Sequence, residues 1–183
     1  MYKQIPVEKM QGVIVFDKKS FADGRGFFME VYNKEVFEEA GFFEQFIQDN
    51  LSFSKKGVLR GLHLQKEPYT QGKLITIIDG HVLDVAVDLR EGSPTFGDYI
   101  MIELSSQNNK QLYVPPGFAH GFFALQSTHF FYKCTAPYRK DFEVGIMWDD
   151  EELQIPWGEG DKIISDKDNQ QMTFKDFRKM FIV

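Results

Sequence analysis

Two short stretches gather residue types that can move protons. Gly57-Val58-Leu59-Arg60-Gly61-Leu62-His63-Leu64-Gln65 carries a histidine and a cation, and Pro115-Pro116-Gly117-Phe118-Ala119-His120-Gly121 carries a second histidine. An imidazole changes charge close to neutral pH, so it can take a proton from carbon and hand it on. Arg60 and Lys73 bracket His63. Unneutralised cations are seldom placed inside a β-rich core for stability alone, so a bracketed histidine reads as part of a site rather than as core filling. Two imidazoles fall short of the three or four protein ligands that zinc or iron normally takes. A base of this kind needs a carboxylate to fix its tautomer and steady the imidazolium. Asp84 or Asp88 could take that part, depending on how the chain returns.

The elements that must position these groups read mostly as strands. The chain holds 19 Phe against 11 Leu and 6 Ala, a balance that favours pleated surfaces over helices. Residues 12–16 and 26–32 read as strands around an Asp23-Gly24 turn, and Phe27 and Phe28 are expected to pack the interior. Asn33 caps one credible helix with a Val36, Phe37, Ala40 stripe and Gly41 as its stop. Residues 73–78 and 81–89 flank Asp79-Gly80, a pairing that predicts a tight hairpin. In its second arm Leu83, Val85, Val87 and Leu89 alternate with Asp84, Ala86 and Asp88, a period of two with one apolar face. Further strands follow at 98–104, 111–114, 120–125 and 129–135. Short strands at this spacing suggest a barrel or double-sheet jelly roll, and residues 1–183 read as a single domain without linker or repeat.

Gly-x5-His followed by Pro-x-Gly-x2-His resembles the two signature stretches of the cupin superfamily, which implies a mainly β, cupin-type double-stranded β-helix (jelly roll) with a few short helices. Where a metal-binding cupin places its second histidine this chain has Gln65, and Tyr69 and Thr70 stand where the glutamate would follow. No metal and no cofactor are expected. More specifically, the chain resembles the dTDP-4-dehydrorhamnose 3,5-epimerase family over nearly its whole length. The match runs through Asp23-Gly24-Arg25-Gly26-Phe27-Phe28, Gln48-Asp49-Asn50, Val58-Leu59-Arg60-Gly61-Leu62-His63, Gln71-Gly72-Lys73-Leu74 and Asp84-Val85-Ala86-Val87-Asp88-Leu89-Arg90. It continues through Pro116-Gly117-Phe118-Ala119-His120-Gly121-Phe122, Tyr132-Lys133-Cys134-Thr135, Gly145-Ile146-Met147-Trp148-Asp149-Asp150 and Ser165-Asp166-Lys167-Asp168. The tail after Met172 fits no pattern of that family.

The resemblance implies an isomerase that inverts two carbons flanking the ketone of a nucleotide-linked 6-deoxy sugar. It assigns His63 as base, Asp168 as its partner, Lys73 as the cation at the enolate oxygen and Tyr132 as proton donor. It assigns Arg25, Arg60 and Lys167 to a diphosphate, Glu30, Gln48, Asp49, Asn50, His120 and Glu143 to polar contacts with the substrate, and Tyr138 to the base. The alternative is a single-carbon epimerase or ketoisomerase acting on a related dTDP-4-keto sugar. The family also implies a homodimer with the Arg25 region near the partner's site.

With 21 Lys+Arg against 27 Asp+Glu the net charge is -6, which argues against a general nucleic-acid partner. No apolar run is long enough to span a membrane and the start of the chain lacks a leader-like apolar stretch, so a cytoplasmic setting is expected. One cysteine, Cys134, excludes an internal disulfide framework.

Overall fold

A computed structural model describes residues 3–181. In chain order the strands are β1 (Lys3–Pro6), β2 (Ile14–Asp17), β3 (Phe21–Asp23), β4 (Gly26–Phe28), β5 (Gln48–Ser54), β6 (Leu59–Gln65) and β7 (Lys73–Asp79). They continue with β8 (His81–Asp88), β9 (Tyr99–Ser105), β10 (Lys110–Val114), β11 (Phe118–Ala124), β12 (Thr128–Cys134) and β13 (Glu143–Gly145). Helix α1 (Lys34–Glu39) sits between β4 and β5, and α2 (Phe174–Phe181) follows β13. A six-stranded sheet in the order β1-β2-β10-β7-β12-β5 faces a five-stranded sheet in the order β13-β6-β11-β8-β9. The fold is the mainly β, cupin-type jelly roll with few short helices that the sequence suggests.

Between the sheets lies a core built from Ile75, Leu112 and Phe130 on one side and Val82, Ala86, Leu104 and Phe122 on the other. The apolar face expected of β8 exists, but it turns away from this core. Val85 and Val87 are buried beneath Ile155, Trp157, Phe174 and Phe177, so the C-terminal segment, including the start of the tail after Met172, covers the outer face of the five-stranded sheet. The polar-alternate set Asp84, Ala86 and Asp88 therefore faces inward, and both aspartates are fully buried. On the other sheet α1 brings Phe37 against Phe16, Phe42, Leu74 and Tyr113. Asn33 caps that helix by accepting from the Glu35 N–H, as its residue type predicts.

Two local expectations need correction. Asp79-Gly80 does not close a hairpin, because β7 and β8 belong to different sheets. The turn is a corner: Gly80 takes φ +100° where a side chain would strike the backbone and hydroxyl of Ser127 and Thr128. Phe27 and Phe28 do not pack the interior. The strand expected over 26–32 is only β4, paired in a separate two-stranded ribbon with β3, and these rings are 69% and 70% exposed. A local hydrophobic pattern cannot reveal that its strand leaves both main sheets.

Candidate active site

Arg60 and His63 are three residues apart, which on a regular strand would send them to opposite faces. A β-bulge overrides that. Opposite β6, β11 pairs His120 with His63 and Phe122 with Arg60, so Gly61 and Leu62 face the single residue Gly121. Leu62 turns outward into the covered core while Arg60 and His63 both turn inward. The bulge demands glycine on both strands. A Cβ on Gly61 would sit 2.6 Å from the Gly121 Cα, and one on Gly121 would sit 2.7 Å from the Arg60 carbonyl oxygen.

The resulting cavity, about 280 Å³, opens between the two sheets. Arg60, His63, His120 and Phe122 line it from the five-stranded sheet, Ser52, Lys73, Phe130 and Tyr132 from the six-stranded one. Ser165, Lys167 and Asp168 enter from the C-terminal segment. His63 Nε2 lies 2.7 Å from Asp168 Oδ1. An ionised carboxylate only accepts, so it holds the ring proton on Nε2 and leaves the lone pair on Nδ1. Burial works against charge on Asp168, but hydrogen bonds from His63, the Gly61 backbone and Ser165 outweigh it and hold the carboxyl below its ordinary range. The other two carboxylates considered for this part are engaged elsewhere. Asp84 Oδ1 is 2.8 Å from His120 Nε2, and Asp88 accepts from Arg90, Ser93 and Thr95.

The Lys73 ammonium carries no ion pair or hydrogen bond among the described residues. Burial pulls its ammonium down, partly offset by Cys134, Asp84 and Glu143. Burial also pushes Asp84 up, against the pull of His120 and Lys73. The Tyr132 phenol is raised by burial and by Cys134, against Arg60, so it stays protonated at neutral pH. Lys73 and Tyr132 share the inner face of neighbouring strands, with Cys134 directly across from Lys73.

At the rim, Lys167 Nζ donates to Glu143 Oε2 at 2.5 Å, and the Tyr138 hydroxyl donates to the same oxygen at 2.8 Å. That second bond is the largest cause lifting the Tyr138 phenol to about 12. Gln48 and Asn50 lie on the inner face of β5. Gln48 accepts from the Tyr138 backbone N–H and donates to Asn50, which donates in turn to the Cys134 sulfur at 3.5 Å. Arg60 is held by Ser54 and the Phe53 carbonyl.

Three residues of the expected set stand apart. Asp49 lies between Gln48 and Asn50, and the period of two sends it to the outer face, where Lys133 holds it at 2.7 Å. Arg25 is paired with Asp23 alone among the described residues, on the exposed ribbon. Glu30 accepts from Asn33 at 3.1 Å, outside the cavity lining. Sequence reasoning misses Ser52, Phe130 and Ser165. Each had a signal, since Ser52 continues the inner face of Gln48 and Asn50, Phe130 is two residues from Tyr132, and Ser165 opens the Ser-Asp-Lys-Asp stretch.

Among the described residues no group of three or more His, Cys, Asp and Glu comes together in a way that could hold a metal. Gln65 accepts from the Arg139 N–H instead. A larger depression of about 810 Å³ beside Trp148 and Trp157 has no comparable base and cation set. No helix among the described residues is long and apolar enough to cross a membrane.

The arrangement can abstract a proton beside a carbonyl and stabilise the resulting oxyanion. Known proteins agree with that chemistry. Residues 8–176 match the family model described as dTDP-4-dehydrorhamnose 3,5-epimerase. The chain is 51% identical over 166 residues to the enzyme of that name from Shigella flexneri, covering 90% of this chain and 92% of the relative. It superposes with TM-score 0.91 and 41% identity on a dTDP-6-deoxy-D-glucose-3,5-epimerase from Legionella pneumophila in complex with dTDP-4-keto-L-rhamnose, covering 96% of this chain and 94% of that one. A 3'-monoepimerase from Streptomyces bikiniensis in complex with dTDP-quinovose is 29% identical with TM-score 0.87, covering 92% and 87%. The chain therefore belongs to the dTDP-4-dehydrorhamnose 3,5-epimerase family, and it is an isomerase.

Proposed function

We propose that this enzyme converts dTDP-4-dehydro-6-deoxy-D-glucose to dTDP-4-dehydro-L-rhamnose by inverting carbons 3 and 5, a step of dTDP-L-rhamnose biosynthesis. One observation carries the reading. The His63–Asp168 pair, with its 2.7 Å bond, and the Tyr132 phenol line one cavity from opposite sheets, so a sugar ring between them presents one face to a base and the other to an acid.

His63 takes the proton from the carbon beside the ketone, and the C–H electron pair moves through the new C=C bond onto the carbonyl oxygen. The Lys73 ammonium neutralises that oxyanion, the kind of stabilisation that most often dominates such steps. Asp168 steadies the imidazolium. Tyr132 then delivers its proton to the opposite face of carbon 5, and the C=O re-forms. Water reprotonates the phenolate and takes the proton from the imidazolium, which resets His63 for abstraction at carbon 3, where solvent supplies the returning proton. Proton transfer of this kind contributes roughly 10²–10⁴ in rate. Arg60 and Lys167 receive the diphosphate, for which Lys167 exchanges Glu143. Tyr138 stacks on the base, with Gln48, Asn50, Glu143 and His120 supplying polar contacts.

The assembly is a homodimer in which Arg25 and Glu30 act at the neighbouring subunit's site. The support is the exposed ribbon itself, whose Phe21, Phe27 and Phe28 present an apolar surface that one chain leaves uncovered. The described residues act as one domain, and a reducing cytoplasm suits the single buried thiol.

Incubation with the 4-keto substrate in deuterated water tests the reading. Deuterium is expected at carbons 3 and 5, and at neither in His63→Ala. Tyr132→Phe is expected to keep exchange and lose net inversion at carbon 5. Label at carbon 3 alone would indicate a single-carbon epimerase, the activity of the Streptomyces bikiniensis neighbour. No label at all would remove the epimerase reading for this substrate.

A further inference from the structure

We propose that Phe122 and Phe130 form the subsite for the carbon-5 substituent and select a methyl over a hydroxymethyl group, which restricts the enzyme to 6-deoxy sugars. The proposal rests on the nucleotide-sugar reading above.

Most side chains that line the cavity carry a polar group: hydroxyls, imidazoles, a carboxylate and three cations. Phe122 and Phe130 are the exception, beside the Tyr132 ring. They come from opposite sheets and meet as a stacked pair, with centroids 4.2 Å apart and planes 8° apart. They are only 4% and 1% exposed and belong to the core between the sheets, so the wall they form is rigid. The nearest imidazole, His120, has its centroid 6.1 Å from that of Phe130 and is already bonded to Asp84 through Nε2.

Geometry ties this wall to one end of the sugar. Phe130 precedes Tyr132 by two residues on β12, so both rings project from the same face, with centroids 5.9 Å apart. A phenol that protonates carbon 5 holds that carbon beside Phe130, and carbon 6 is bonded to carbon 5. A methyl group there buries apolar area against two rings. A hydroxymethyl group would bring a hydroxyl to aromatic faces that offer it no partner. Apolar pockets reject an added hydroxyl by about 10²-fold at most, so the selection is real but bounded.

dTDP-quinovose and dTDP-glucose differ only in the 6-hydroxyl, and neither has the 4-ketone needed for turnover. Calorimetric titration of both into the wild-type protein, with dTDP as reference, reads the subsite directly. dTDP-quinovose is expected to bind about 10- to 100-fold tighter than dTDP-glucose. In Phe122→Tyr and Phe122→Ser, checked for native circular dichroism, the ratio is expected to drop below about threefold while dTDP binding is kept, because a hydroxyl now meets the 6-hydroxyl. Wild-type affinities within about threefold of each other would overturn the proposal. So would a ratio unchanged in the folded variants. Failure to bind dTDP itself would instead count against the nucleotide-sugar reading.

Discussion

His63 and Asp168 are separated by 105 residues of chain and by 2.7 Å in space. One is carried by β6 and the other by the 3-10 turn Asp168–Gln170, near the end of the chain. Asp168 is 4% exposed, and its partner is the ring it orients. Replacing it with asparagine keeps the shape and removes the charge. Asp168→Asn is expected to lower kcat by about 10²- to 10⁴-fold with little change in KM, since the lost interaction is with the imidazolium that exists only after proton transfer. Steady-state kinetics beside a thermal melt would check it, and a rise in KM with unchanged kcat would refute it.

Lys73 is the least exposed of the three cations that line the cavity, and desolvation pulls its pKa below that of an ordinary lysine. As pH rises the ammonium loses its proton early, and oxyanion stabilisation goes with it. The kcat profile is therefore expected to fall on the alkaline side below the ordinary lysine value of about 10.4. Tyr132 does not compete for that limb, because its own pKa is raised. In Lys73→Arg the limb should move to higher pH, because a guanidinium stays charged. A limb at the same pH in both proteins would show that another group sets it.

Gly121 faces the bulge that turns Arg60 and His63 to one side. A methyl group there would lie 2.7 Å from the Arg60 carbonyl oxygen and 3.1 Å from the Gly61 Cα, so backbone must move. Gly121→Ala is expected to cost about 1–3 kcal/mol of stability. It should also lower kcat far more than an equally destabilising core substitution such as Phe177→Ala, because the strand shift displaces the base. Urea unfolding combined with deuterium exchange separates the two effects.

Asp88 offers a pH test of stability away from the cavity. Burial opposes its charge, but Arg90, Ser93 and Thr95 outweigh that and pull its pKa to about 2. Because the folded value lies below the unfolded one, near 3.9, the carboxylate stabilises the fold fully above pH 4 and loses that contribution as pH falls towards 2. Asp88→Asn is expected to cost on the order of 2 kcal/mol at neutral pH, with the gap to wild type closing on acidification. A gap that stays constant from pH 7 to the acid limit would contradict the linkage.

Much of this protein is legible in its amino-acid sequence. The excess of phenylalanine over leucine and alanine and the run of short strands point to a jelly roll, because pleated surfaces reward aromatic and β-branched side chains. The residue type of His63 between two cations points to proton transfer, and the family resemblance adds Lys73, Tyr132 and the ketone. Three-dimensional packing decided the rest. Period two is a property of the strand, but which side of β8 faces the cavity depends on what covers the other side, and here the C-terminal segment does. Asp79-Gly80 has the chemistry of a hairpin and makes a corner, because the partner of each arm is a distant strand. Asp49 lies inside a matched motif yet faces outward, as alternation requires. The family motif points to Asp168 as the partner of His63, but residue chemistry alone leaves Asp84 and Asp88 open as well, because a contact across 105 residues is made by packing and not by a local pattern.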